Sequence, residues 1–292
     1  MEESNITRGG EFIIKETSPG NIFTPEDFSE EQKMMKQAVI DFIDKEVWPH
    51  KGRFEKKDFK LTEEVMRKAG ELGFLGIAVP EEYGGLGMGF VSTMLVCEYI
   101  SGCTGSLSTA FGAHTGIGTM PIVFYGTEEQ KQKYVPKLAS GEHFGSYCLT
   151  EPTAGSDANS GKTKAVLSED GTHYKISGQK IWISNAGFAN IFIVFARIED
   201  DKNITGFIVP NEPNNGISLG EEENKLGIHS SSTRQVFFDN TKVPIENMLS
   251  ERGNGFKIAL NSLNVGRIKL AAACLDALKR VTSLGVQYAT CI

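Results

Sequence analysis

The amino-acid sequence predicts an α+β fold with its parts in series: an all-helical N-terminal domain, a middle antiparallel β-barrel or sandwich, and a long helix at the end. The clearest sign is periodicity. Apolar residues recur at helical spacing up to Tyr147, alternate with a period of two beyond it, and return to helical spacing from Gly253. The length of 292 residues exceeds one comfortable core and suggests about two domains. With 40% apolar and 23% charged residues, the composition is that of an ordinary globular chain.

The first helix is predicted over Ser29 to Trp48. Met35, Val39, Phe42, Ile43 and Val47 recur on one face, Ser29 with Gln32 forms a capping box, and Pro49 ends the run. A second run from Thr62 to Leu72 stops at Gly73, which can take the left-handed conformation. Phe74 to Val79 is a short apolar segment before PEEYGGLGMGF. That loop fails the dinucleotide spacing G-x-G-x-x-G because Phe90 stands where a glycine belongs, and it reads as a flexible turn between helices. Val91 to Ile100 and Ser106 to Val123 are rich in Gly, Ala, Ser and Thr, as expected of helices packed closely on one another or on a ligand. Thr127 and Gln130 form a second capping box, opening a short helix that is expected to end near Pro136.

In the alternating region, TKAVLS and HYKIS flank Glu169-Asp170-Gly171, a hairpin signal. KIWIS, NIFIVFARI, TGFIVP and RQVFFD follow, separated by Ser-Gly, Asp-Asp-Lys-Asn and Asn-Asn-Gly turns. The last helix is predicted from Gly253 to Ala289, roughly 37 residues or about 55 Å. Leu260, Leu263, Leu270, Cys274, Leu278 and Val281 form one stripe on it, with Ile258, Val265 and Ile268 outside that stripe.

Composition removes several function classes. A formal net charge of -7 without a dense Lys/Arg run gives no support for binding nucleic acid or an anionic bilayer. The start, MEESNITRGGEF, is acidic and has neither an apolar signal core nor an Arg-rich transit bias, so a cytoplasmic or mature mitochondrial-matrix protein without a membrane span is expected. Five cysteines, scattered and free of C-x-x-C spacing, argue against disulfides and zinc. The five histidines form no metal-ligand cluster.

The stretch YCLTEPTAGSDANSGKT carries the chemistry. Gly161-Lys162-Thr163 looks like the end of a phosphate loop, but the first glycine would have to stand where Ser156 is, and the sequence continues into alternation rather than the required helix. A flavin needs hydroxyl donors along its ring edge, a flat wall on one face and a close backbone approach for its pyrophosphate. Thr150, Ser156 and Ser184 supply hydroxyls, Trp182 an indole, and Gly155 the approach, while Pro152 fixes the turn. A polar turn beside a strand tryptophan accounts for the same residues without any ligand.

YCLTEPTAGSD, KIWISNAG, TRQVFFDNTKVPIENML and the NVGR step resemble the acyl-CoA dehydrogenases in order and separation, and PEEYGGLGMG, GAHTGIGTMPIVFYGT and YVPKLASGE extend the match. The likeness runs from about Phe28 onward and leans toward the long-chain and very-long-chain branch. It implies an N-terminal extension over residues 1–27, a helical domain over 28–145, a middle β-domain over 146–250 and the start of a C-terminal helical bundle over 251–292. Carried over by motif, Tyr147, Leu149, Thr150, Gly155, Ser156, Trp182, Ile183 and Ser184 would bind FAD. Ser156, Glu98, Asn264 and Arg267 would meet the substrate.

The resemblance implies α,β-dehydrogenation of a fatty acyl-CoA to the trans-2-enoyl-CoA. A carboxylate takes the α-proton, hydride passes to the flavin, and electrons go on to electron transfer flavoprotein. It also implies a homodimer or homotetramer. The family's usual basic glutamate would lie beyond Ile292, Gly266 occupies the minority position for it, and an R-x-x-F-G segment is missing, so a truncated chain is the expectation. Apolar residues on more than one face of the last helix point the same way. Glu98, Glu151 and Asp157 read as pocket floor and turn caps rather than bases. An inactive acyl-CoA-binding or assembly protein, or a flavin oxidase or monooxygenase of the same fold, are the alternatives.

Overall fold

The structure is a computed structural model that describes Thr7 and residues 10–291. The N-terminal extension lies partly outside those residues, and the expected base beyond Ile292 wholly outside them.

Helices come first. α1 (Glu30–Glu46) starts at the Ser29–Gln32 capping box and buries Val39, Phe42 and Ile43. α2 (Lys51–Glu55) is a single turn, and α3 (Phe59–Glu71) begins three residues before its predicted start because the Asp58 side chain caps it. Gly73 closes α3 with φ +80°. Gly70 lets α3 touch the C-terminal end of α7: a Cβ there would stand 2.3 Å from the Ser140 carbonyl oxygen. Gly70→Ala is therefore expected to cost about 1–3 kcal/mol of unfolding free energy, read from urea denaturation, as backbone cannot yield as a side chain can.

The PEEYGGLGMG loop is pinned rather than loose. Leu86, Gly87 and Met88 donate backbone hydrogen bonds to Gly76, Val79 and Ile77, and the buried Tyr83 hydroxyl donates to Glu128. α4 (Phe90–Ile100) and α5 (Gly105–Gly112) follow. The predicted run from Ser106 to Val123 is broken by a π-helical turn, Ala113–Gly118, before α6 (Met120–Tyr125). α7 (Glu128–Ser140) continues past Pro136 to Gly141. The proline removes one backbone bond, but Tyr134, Val135, Leu138 and Ala139 are buried around it and packing holds the helix together.

The middle region is a β-sheet with eight strands among the described residues: β1 (Gly145–Cys148), β2 (Lys164–Leu167), β3 (His173–Ser184), β4 (Ile191–Ile198), β5 (Thr205–Pro210), β6 (Ile217–Glu222), β7 (Thr233–Pro244) and β8 (Met248–Leu249). The order is β6-β7-β3-β2-β4-β5-β8, with β1 also on β4. Most pairs are antiparallel as expected. β4, however, pairs in parallel with β1 and β2, and the path does not close, so the sheet is open and mixed. HYKIS and KIWIS are one strand with a bulge between Ile176 and Gly178, where the sequence predicts a turn. A Cβ on Gly178 would come 2.5 Å from Thr163 Oγ1, so the glycine serves a close strand contact.

α8 (Gly255–Thr290) matches the predicted long helix in extent. Its buried face is not the predicted stripe. Ile258, Ala259, Ser262, Lys269, Ala272 and Asp276 face inward, while Leu260, Leu270, Leu278 and Val281 are exposed. Three apolar clusters result: one inside the helical domain, one inside the sheet, and one between them, where Tyr147, Leu149, Ile193 and Phe195 meet Ile258 and Ala259. His114 joins the parts. Its ring lies fully buried, accepting from the Gly145 N–H at 3.0 Å and donating to the Leu138 carbonyl at 2.9 Å.

Candidate active site

One carboxylate folds the loop between β1 and β2. Glu151 Oε2 accepts from the Lys162 N–H at 2.5 Å, and Oε1 accepts from Thr163 N–H at 3.1 Å and from Lys180 Nζ at 2.7 Å. Gly161 leaves room beside it: a Cβ there would lie 2.8 Å from Oε1 and would displace the carboxylate. The two amides that a phosphate loop would offer to its anion are thus already engaged, and β2 rather than a helix follows. The triphosphate reading has no site here.

Lys180 is buried at the centre of this arrangement. Its ammonium donates to Glu151, to the Leu149 carbonyl at 3.1 Å and to the Phe195 carbonyl at 2.6 Å. Burial pulls the lysine below its ordinary range, while the carboxylate opposes that effect. With three acceptors on one nitrogen, the arrangement is that of a charged ammonium. Burial also works against ionised Glu151, but Lys180 and the hydrogen bonds from Thr163 and Lys162 outweigh it, leaving the carboxyl below the usual range.

Just after Lys180 the pairing of β3 with β7 slips between Lys180 and Ile183. Within the slip Trp182 takes φ +56°, a left-handed conformation that is rare for a bulky residue, and its indole is 63% exposed. Strain of that kind persists only where the surroundings enforce it. Ile181 N–H donates to the Thr150 carbonyl at 3.0 Å, so the backbone immediately before Trp182 is bonded to the chain at Thr150.

The other predicted residues divide. Thr150, Ser156 and Ser184 have hydroxyls without a partner among the described residues, and Gly155 and Ser156 lie on the exposed part of the loop. A Cβ on Gly155 would meet nothing of the chain, leaving open space there. Tyr147 points inward and donates to the Ala259 carbonyl, Leu149 is core, and the Ile183 side chain lies in the sheet's core. Ser184 opens on a cleft of about 380 Å³ between α4, α5, the π turn and α8, lined also by Cys97, Thr109, Gly112, Gly266 and Arg267. Arg267 hydrogen-bonds Asn264 on exposed helix surface. Glu98 is turned away to Lys279 at 2.5 Å and does not line this cleft.

Two residues escape the sequence reading. Lys180 shares the inward phase of Tyr174 and Ile176 in β3, a signal visible in HYKISGQK. Lys269 lies on the inner face of α8 and in the cleft wall, donating to the Thr115 carbonyl and hydroxyl at 3.1 Å each, and burial depresses its basicity. No metal-ligand cluster occurs among the described residues, and no helix there is long and apolar enough to cross a membrane.

Residues 29–142 match the acyl-CoA dehydrogenase N-terminal domain, and residues 146–241 the acyl-CoA dehydrogenase middle domain. A probable acyl-CoA dehydrogenase of Bacillus subtilis is 49% identical over 287 residues, covering 98% of this chain and 48% of the relative. An acyl-CoA dehydrogenase of the same organism is 42% identical over 265 residues, covering 89% and 69%. The crystal structure of an acyl-CoA dehydrogenase complexed with FAD from Bacillus anthracis superposes with a TM-score of 0.92 at 45% identity, covering 97% of this chain and 49% of that one. The chain thus spans about half the length of the first relative and of the solved structure. Both domain matches and the whole course of the fold agree, and the chain belongs to the acyl-CoA dehydrogenase family.

Proposed function

We propose that this chain holds FAD between the Thr150 edge and the Trp182 indole and serves the α,β-dehydrogenation of fatty acyl-CoA thioesters. One observation carries the reading: a tryptophan thrown outward by a strained bulge, one residue after a backbone bond to Thr150, whose own hydroxyl has no partner among the described residues. An isolated polar turn would give no reason to hold an indole in that conformation. When bound, FAD supplies hydride-accepting chemistry.

The chain's own residues bind and orient. Thr150 and Ser184 offer hydroxyls to a ring edge, Ser156 and the open backbone at Gly155 offer donors to a pyrophosphate, and Trp182 covers a ring face. The apolar walls of the cleft beside Ser184 would exclude water from an acyl chain, with Arg267 on the α8 side and Asn264 hydrogen-bonded to that arginine. No Asp or Glu among the described residues lines the cleft, so the proton acceptor is proposed to come from outside them. A fatty acyl-CoA, an electron transfer flavoprotein and a homodimer or homotetramer complete the proposal.

Titration of the purified chain with FAD, followed by flavin fluorescence, tests it. Trp182→Gly is expected to weaken binding roughly tenfold, the loss of one ring contact with its buried area. Unfolding free energy is expected to stay within about 1 kcal/mol, because relief of the left-handed penalty offsets the entropy of glycine. A chain that stays colourless with excess FAD overturns the proposal.

A further inference from the structure

We propose that Lys180 and Glu151 are positioning residues for the flavin: one buried ammonium sets the spacing between the Thr150 edge and the Trp182 wall. The inference rests on the FAD reading above. Lys180 is carried by β3, Leu149 follows β1, and Phe195 belongs to β4, so a single nitrogen ties three segments at 2.6–3.1 Å. Glu151 extends the tie to the far end of the loop through the amides of Lys162 and Thr163. The loop that presents Gly155 and Ser156 is thus closed by the same ion pair that fixes Leu149.

Position in the strand gives the pair its leverage. Lys180 is the last residue of β3 in register with β7 before the slip that turns Trp182 outward. On its other side, Ile181 N–H to the Thr150 carbonyl is the neighbouring backbone bond between the two walls. An apolar side chain could fill the space of Lys180, but it would impose no direction on the Leu149 and Phe195 carbonyls. Three charge-assisted bonds do impose one. The arrangement is preorganisation: the two walls are held at a fixed separation before any ligand arrives.

The test uses the full chain with Trp48→Phe, which leaves Trp182 as the only tryptophan of the two. Lys180→Met and the double variant Lys180→Met/Glu151→Gln are compared with this parent. The Glu151→Gln change keeps an acceptor for the loop amides, and the double variant leaves no buried charge, so it remains informative if the single variant fails to fold. Emission anisotropy of Trp182 without ligand, FAD affinity and the thermal midpoint are measured. Lower anisotropy and roughly tenfold weaker FAD binding are expected in the double variant, even where its midpoint returns to that of the parent. Undiminished FAD affinity with unchanged anisotropy overturns the inference and leaves the pair a merely structural role. If the parent itself takes up no FAD, the cofactor reading falls with the flavin part of this inference. The anisotropy then decides whether the pair positions Trp182 at all.

Discussion

Replacing Glu151 with alanine is expected to lower the unfolding free energy by about 3–5 kcal/mol, read from urea denaturation at neutral pH. The carboxylate accepts from an ammonium and two amides, and its side chain is only 4% exposed. Its removal leaves Lys180, almost wholly buried, with two carbonyls and no counter-charge. Desolvation already works against that ammonium, so the native state either keeps an uncompensated charge or releases the proton. The double variant Lys180→Met/Glu151→Gln is expected to recover most of the loss, because removing both charges removes the desolvation cost along with the attraction. A loss below about 1 kcal/mol in the single variant would place the pair in the class of weak surface bridges.

The pair also shows what the sequence makes legible. Resemblance joins YCLTEPTAGSD to KIWIS, and the flat indole singles out Trp182; the structure turns it outward, one residue after the backbone bond from Ile181 to Thr150. What alternation does not report is the bulge that makes this orientation. A slip in register depends on the partner strand β7, and nothing local to KIWIS encodes it. Lys180 is readable in principle, since an inward-phase lysine requires a buried acceptor, but that acceptor lies 29 residues away. The two parallel pairings of β4 are equally out of reach, because a period of two is the same for either strand direction.

The helices divide along the same line. The Ser29 and Thr127 caps are local chemistry, and both stand where the sequence places them. The inward face of α8 does not, because apolar residues occupy more than one side of it. Contact decides between those sides. Gly102 lies so close to Asp276 that a Cβ would overlap its carboxylate, and Asp276 in turn accepts from Arg280 at 2.7 Å. Lys269 is satisfied by Thr115 in the π turn. Small and paired polar residues thus fit a close helix contact that the larger leucines would not.

His114 gives the second large expectation, a loss of about 3 kcal/mol of unfolding free energy as pH falls from about 6.5 to about 4. Burial lowers its basicity from 6.5 to about 4, with the Leu138 hydrogen bond opposing and nearby Lys269 adding to the effect. Between those values the unfolded chain binds a proton at this ring and the native chain does not, so acid favours unfolding throughout the window; below it both states are protonated and no further loss comes from this group. The neutral ring is also what the geometry demands, since Nδ1 must accept from Gly145 N–H while Nε2 donates. Carboxylates such as Glu151 add their own acid sensitivity, so the diagnostic quantity is a difference between variants. His114→Asn keeps an acceptor for the Gly145 amide and has nothing to titrate. Its stability at pH 7 is expected to be lower than that of the parent, and its slope between pH 6.5 and 4 shallower; parallel slopes would mean that the buried imidazole takes up its proton as readily as it does in water.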